Sequence, residues 1–205
     1  MIGIIDYGMG NLLSVYHGLE MVGAEVKVCA RGEDIKDVER IVLPGVGAFG
    51  DCMTNLTEKG FTEALNKAII HQGKPILGIC LGMQAMARRG FEGGEHKGLG
   101  WIEGDVVRLQ PDDPLLRVPH VGWNEVHYRQ ESPLFAGLPL SPDCYFVHSY
   151  HLRCDHEHDV DAICNYGGAV TAAVRRNNIF GTQFHPEKSQ DYGLQVLSNF
   201  LKWKP

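Results

Sequence analysis

Apolar and polar positions change rhythm along the chain, and the changes divide it into elements. Ile2–Asp6 is a short buried-strand run that ends in Gly8-Met9-Gly10. Asn11 stands where a helix needs its N-cap, and Leu12, Val15, Tyr16, Leu19 and Val22 fall on one face before Gly23 stops the pattern. Glu25–Cys29 reads as a second strand and Arg40–Leu43 as a third, halted by Pro44-Gly45. From about Asp51 to Gln72 the spacing is helical, with an interruption near Gly60. Pro75–Ile79 is a fourth apolar strand, running into Cys80 and a helical stretch over Leu81–Arg88. Strands recurring after helices of this length predict right-handed crossovers and a parallel sheet.

Beyond residue 100 the rhythm shortens. Gly104–Leu109, Val121–His127, Tyr145–Arg153, Asp161–Asn165, Ala169–Arg175 and Ile179–Phe184 read as short strands separated by turns, with Asn177-Asn178 as a hairpin turn. A closing helix over about Tyr192–Trp203 carries Leu194, Leu197, Phe200 and Leu201 on one face. No repeat and no long Ser/Pro linker interrupts the 205 residues, so the expectation is one α/β domain over 1–205 with a mixed or antiparallel extension.

Composition narrows the class. Hydrophobic residues at 44% and charged residues at 21% argue for a packed core over disorder. A net charge of −6 leaves no basic stripe for nucleic acid or an anionic membrane. The N-terminal apolar run is too short for a signal or membrane segment, so a cytoplasmic protein is expected. The six cysteines (Cys29, Cys52, Cys80, Cys144, Cys154, Cys164) form no C-x-x-C pair, which favours reduced thiols over a disulfide framework. The 25 glycines exceed the usual ~7% and point to tight turns and close backbone approaches.

Chemistry concentrates in three places. Gly78-Ile79-Cys80-Leu81-Gly82, at a strand–helix junction, has the G-x-nucleophile-x-G form of a nucleophile elbow. Such a turn strains the nucleophile, favours thiolate at the following helix start and aims the Leu81 N–H at a developing oxyanion. By themselves the five residues also fit a buried cysteine at a glycine-rich turn. Gly181-Thr182-Gln183-Phe184-His185-Pro186-Glu187 supplies the base and its orienter: His185 and Glu187, two apart, can face one way at a strand end. In Leu43-Pro44-Gly45-Val46-Gly47-Ala48-Phe49-Gly50 the G-x-G-x-x-G spacing follows the third strand rather than the first, and no Gly-Lys-Ser/Thr follows. A dinucleotide or P-loop role is therefore rejected, and the turn is read as offering a second backbone N–H to the oxyanion, from Val46 or Gly47.

Cys154, His156 and His158 alternate as metal ligands on a strand would, but they match no common zinc pattern and sit among charges. No metal site is expected. Trp101 and Trp123, each beside a glycine, are core aromatics if buried and interface anchors if exposed.

Together these blocks resemble one family. Gly78-Ile-Cys80-Leu-Gly-Met-Gln84 with His185-Pro-Glu187 is similar to the class I triad glutamine amidotransferases. Asp6–Leu12, Leu43–Gly50, His120-Val-Gly-Trp-Asn124, Tyr145–Tyr150 and Gly181–Ser189 resemble, within them, the glutaminase subunits of imidazole glycerol phosphate synthase. Met83 stands where other synthase glutaminases usually carry His. The resemblance implies a three-layer α/β class I glutamine amidotransferase fold with a central, mostly parallel sheet. It implies a Cys80-His185-Glu187 triad, an oxyanion site at Leu81 and Val46–Gly47, and a glutamine pocket lined by Gln84, Glu92, His148, Ser149 and Tyr150. No cofactor is implied. The partner it implies is a separate (β/α)₈-barrel cyclase subunit in a heterodimer, met by Asn11, His120, Trp123, Asn124 and Lys188. Other readings of the residues alone are a glutaminase of another amidotransferase, an inactive module of the same fold, and a Cys-His hydrolase.

Overall fold

The computed structural model describes residues 1–205. Its first strands are β1 (Ile2–Ile5), β2 (Val26–Cys29), β3 (Arg40–Gly45) and β4 (Ile76–Cys80), joined by helices α1 (Leu12–Met21), α2 (Phe49–Glu58) and α3 (Phe61–Asn66). Alternate strand residues go to opposite faces. Ile5, Ile41, Leu43 and Ile76 pack with Phe49, Leu56, Phe61 and Leu65 of α2 and α3. Ile2, Ile4, Val42, Leu77 and Ile79 pack with Val15 and Leu19 of α1 and with Val196, Leu197 and Phe200 of the last helix. Helices therefore cover both faces of the sheet, the three-layer arrangement that a doubly buried parallel sheet requires.

After β4 come α4 (Leu81–Ala85), β5 (Ala87–Gly90), β6 (His96–Lys97), β7 (Ile102–Arg108), β8 (His120–Glu125), β9 (His127–Tyr128), β10 (Asp143–His148) and β11 (Tyr150–Cys154). The chain closes with β12 (Val160–Asn165), β13 (Ala169–Arg176), β14 (Ile179–Thr182) and α5 (Gln190–Lys202). The main sheet runs β2-β1-β3-β4-β14-β13-β12-β9. It is parallel from β2 to β14 and antiparallel from β14 to β9. A second sheet, β11-β7-β5-β6, and an antiparallel pair, β8–β10, lie apart from it.

Several boundaries differ from the sequence expectation, each for a long-range reason. β3 continues through Pro44 to Gly45 rather than stopping before them. By Pro44 the pairing with β1, which ends at Val42, is over, so the missing N–H breaks no ladder bond. The helix after Cys80 ends at Ala85 instead of Arg88, because residues 87–90 pair with β7 and β6. There Arg88 and Arg89 both reach Asp105, at 2.8 and 3.0 Å. Tyr145–Arg153 is two strands in two sheets, divided at Ser149. The run read as one strand over Val121–His127 is two, β8 and the short β9, separated at Val126. β14 ends at Thr182, so His185 and Glu187 lie beyond the strand, in and before a 3₁₀ turn over Pro186–Lys188.

Because β3, β4 and β14 are parallel neighbours, their carboxyl ends deliver Gly45, Cys80 and the segment after Thr182 to one edge. Open α/β sheets place their ligand sites at such an edge.

Candidate active site

Cys80 ends β4 with φ 53° and ψ −110°, a backbone conformation that L residues other than glycine seldom adopt. Its neighbours explain how the turn is held. A Cβ on Gly82 would come within 1.8 Å of the Leu43 carbonyl oxygen, and one on Gly78 within 2.7 Å of the Gly82 carbonyl oxygen. The first turn of α4 thus presses against β3 and β4 at a distance only glycine permits. Cys80 is 6% exposed. Its Sγ lies 3.6 Å from Gln183 Nε2 and 3.9 Å from the Val147 carbonyl oxygen.

His185 is buried, with its backbone N–H held by the Tyr145 carbonyl at 2.9 Å. Its Nδ1 lies 2.7 Å from Glu187 Oε1. The other ring nitrogen, Nε2, and the second carboxylate oxygen of Glu187 are buried without a hydrogen-bond partner. Burial by itself would lower the imidazole pKa, but the nearby Cys80 sulfur and the Glu187 carboxylate outweigh it, and the net shift is upward. Charge on His185 is favoured from both sides of its ring.

In front of Cys80 opens a cleft of about 330 Å³ lined by Val46, Gly47, Cys80, Leu81, Gln84, Glu92, Pro119, Val147, His148, Ser149 and Tyr150. Nine of these were expected from sequence, spread over more than 100 positions, and they meet in one cavity. Gly47 has φ +107°, and a Cβ there would reach 2.6 Å from Met9 Cε, so the Gly45–Gly47 turn also depends on glycine. His185 and Glu187 lie behind the cavity wall rather than in it.

The polar groups of the cleft are already partly committed, which sharpens what each can offer. Gln84 Nε2 donates to the Tyr150 carbonyl at 2.8 Å and to Gln183 Oε1 at 3.0 Å. Only its oxygen remains, so Gln84 can serve a ligand as an acceptor. Glu92 accepts the Phe49 N–H at the start of α2 through Oε2, at 2.9 Å. The close pass of Gly90 over Phe49, where a Cβ would lie 2.7 Å from the ring, brings Glu92 to that position. His148 donates from Nδ1 to the Tyr150 carbonyl at 2.8 Å, and its Nε2 accepts from His120 Nδ1 at 3.0 Å. Both nitrogens are spent, so His148 shapes the wall and offers no polar atom to a ligand. Burial lowers its pKa to about 3.

The expected partner-facing residues divide. Trp123 is 48% exposed on β8, with Val121 beside it on the same face at 57%, and Lys188 is exposed with its Nζ over the Tyr145 ring. His120 is not on the surface: it is 3% exposed, stacked between the rings of Phe146 and Tyr166. Strand alternation turns His120, Gly122 and Asn124 inward, and Asn124 donates to the Asn165 carbonyl at 2.9 Å. Asn11 caps α1, accepting the Ser14 N–H at 3.3 Å. Trp101 is a core aromatic whose Nε1 donates to Asn66 Oδ1 at 2.6 Å. Cys154, His156 and His158 form no group arranged to hold a metal.

Sequence reading assigned no role to Gln183, Val147 or Pro119. Gln183 had a signal: it is the polar amide in the largely apolar run Ile179–Phe184, and it is wholly buried. A buried amide must find partners, and here they are Gln84 and the Cys80 sulfur.

The comparisons agree with this geometry. Residues 3–203 match the family model described as glutamine amidotransferase class-I. The imidazole glycerol phosphate synthase subunit HisH of Mesorhizobium japonicum is 47% identical over 214 aligned residues, covering 100% of this chain and 99% of its own. Subunit HisH 1 of Campylobacter jejuni is 46% identical, covering 98% of this chain and 100% of its own. Among solved structures, PurLQS from Thermotoga maritima superposes with a TM-score of 0.76 at 19% identity over 98% of this chain and 97% of that one. A crystal structure of a glutamine amidotransferase gives 0.75 at 21%, with the same coverage. With an elbow cysteine, a buried His–Glu pair behind it and a family match across almost its full length, the chain belongs to the class-I glutamine amidotransferases.

Proposed function

We propose that the chain is the glutaminase subunit of an imidazole glycerol phosphate synthase, hydrolysing L-glutamine and passing the ammonia to a cyclase subunit for histidine biosynthesis. The observation that carries this reading is the strained Cys80 at the base of a cleft whose free polar atoms include acceptors on Gln84 and Glu92. Those acceptors suit the α-ammonium of a free amino acid. The near-complete coverage at 47% identity by a synthase subunit supports the choice of synthase.

In this reading Cys80 attacks the side-chain amide carbon of glutamine, forming a C–S bond and a tetrahedral oxyanion. The oxyanion is met by the Leu81 N–H and by one from Val46 or Gly47. His185, charged between Glu187 and the sulfur, gives its proton to the departing nitrogen, and ammonia leaves as the γ-glutamyl thioester forms. The neutral imidazole then takes a proton from water. Hydroxide attack on the thioester releases glutamate and restores the thiolate–imidazolium pair. Glu187 orients the ring and stabilises its charge. Ammonia released to bulk water would be protonated and lose its nucleophilicity, so direct transfer to the partner, read as a (β/α)₈ barrel in a heterodimer, completes the reaction. Val121, Trp123 and Lys188 are the exposed residues assigned to that contact. The residues are read as one domain over 1–205, in a cytoplasmic protein; no helix is long and apolar enough to cross a membrane.

The test pairs Cys80→Ala with the cyclase subunit and its nucleotide substrate. Glutamine-dependent product is expected to vanish while product from added ammonium salt persists. Persistence of the glutamine-dependent reaction would overturn the assignment of the nucleophile, and loss of both would point to an effect on assembly.

A further inference from the structure

The triad leaves the second side of the nucleophile unexplained, and Gln183 occupies it. We propose that Gln183 is a positioning residue for Cys80, holding an amide N–H on the sulfur in a direction fixed by a chain of hydrogen bonds that begins at the Tyr150 carbonyl. This rests on Cys80 being the nucleophile.

The direction follows from donor and acceptor counting. The Tyr150 carbonyl can only accept, so the group 2.8 Å from it on Gln84 must be the amide nitrogen. That nitrogen's other N–H lies 3.0 Å from Gln183, whose facing atom must then be the carbonyl oxygen. The remaining end of the Gln183 amide is its NH₂, and it faces Cys80 Sγ at 3.6 Å. The carbonyl that anchors the chain also accepts from His148 Nδ1, and His148 Nε2 in turn accepts from His120 Nδ1. Each link is satisfied by one arrangement of protons: flipping Gln84 would set two acceptors against each other, and flipping Gln183 would set two donors against each other. Gln183 is fully buried and Gln84 is 4% exposed, so water cannot replace a lost partner cheaply.

The consequence is selective for protonation state. A neutral thiol can give its proton to the Val147 carbonyl at 3.9 Å and still accept from Gln183. A thiolate turns toward that carbonyl unfavourably, and the Gln183 N–H is the neutral donor offered to it. A donor to a charged acceptor is stronger than one to a neutral thiol, so removing it penalises the thiolate more. A residue that merely filled space would leave the thiol–thiolate balance unchanged.

The experiment is the pH dependence of Cys80 alkylation by iodoacetamide in the full chain, with each of the six cysteines quantified by peptide mass spectrometry. Gln183→Met removes the N–H at similar volume. Gln183→Glu keeps the acceptor for Gln84 and sets an oxygen against the sulfur, in a nearly isosteric side chain. The alkylation midpoint of Cys80 is expected to rise by about one pH unit in Gln183→Met and further in Gln183→Glu. A midpoint equal to that of the unsubstituted chain in either folded variant overturns the role of Gln183 alone. If Cys80 of the unsubstituted chain is not labelled ahead of the other five thiols, the nucleophile assignment itself fails, and this inference falls with it.

Discussion

At the scale of single residues, the site depends on groups held where they are costly. The unpartnered oxygen of Glu187 is buried, so its carboxylate charge bears on His185 with little screening by water. Glu187→Gln keeps the shape and removes that charge. Turnover of glutamine with the cyclase present is expected to fall by on the order of 10²–10⁴-fold, by analogy with neutralising a triad acid. Steady-state assays should place the loss in kcat; a variant with undiminished kcat would mean that Glu187 is not the orienter. Gly82 makes the complementary point about backbone. Its added Cβ would meet a main-chain oxygen at 1.8 Å, and neither β3 nor α4 has room to yield. Gly82→Ala is expected to lower the unfolding free energy by more than about 3 kcal/mol, read from urea titrations. An unchanged urea midpoint would show that the elbow is looser than its geometry suggests.

At the scale of elements, what was legible in sequence and what was not separates by range. The βαβ half was visible because Ile2–Ile5, Arg40–Gly45 and Ile76–Cys80 are apolar runs whose burial on both faces needs only local reading. Cys80, His185 and Glu187 stood out because elbow and His-x-Glu are local patterns. The short strand Ala87–Gly90 was hidden, since its Arg88-Arg89 pair becomes strand only by meeting Asp105 sixteen and seventeen residues on. The division at Ser149 was hidden for the same reason, because nothing in Tyr145–Arg153 says that its two halves belong to different sheets. β8 shows how one such detail changes a functional reading. Its alternation buries His120 and exposes Val121 and Trp123, so the surface proposed for the partner is the odd-numbered face of a strand. Trp123 touches Tyr145 edge-on, with ring centroids 5.9 Å apart. Trp123→Ala is expected to weaken binding to the cyclase about 30-fold, the scale of a buried aromatic anchor, while Cys80 alkylation stays unchanged. Calorimetric titration of the two subunits measures it, and equal affinities would remove β8 from the interface.

At the scale of the whole molecule, the histidines link the site to stability. His120 and His151 are held to about 4 and His148 to about 3 by burial, against an ordinary value near 6.5. The hydrogen bonds agree for two of them: His148 needs a bare Nε2 to accept from His120, and His120 has Nε2 turned to the Asn124 amide at 3.5 Å. Unfolded, all three would take up protons as the pH falls through 6.5; folded, they resist until pH 3–4. Between those limits the unfolded chain binds more protons, so stability rises with pH and is lost as pH falls, by at most about 1.4 kcal/mol per pH unit for each group. Asp161, whose carboxyl burial pushes up, works in the opposite sense. On the alkaline side burial raises the Cys52, Cys144, Cys154 and Cys164 thiols to about 12. There the unfolded chain loses protons first, and stability falls as pH rises past the ordinary thiol range. Urea midpoints are therefore expected to be highest near neutrality and to drop steadily from pH 6.5 to 4.5, before most carboxylates titrate. A flat midpoint across that interval would mean that His120, His148 and His151 are reached by water in the folded chain and carry charge there.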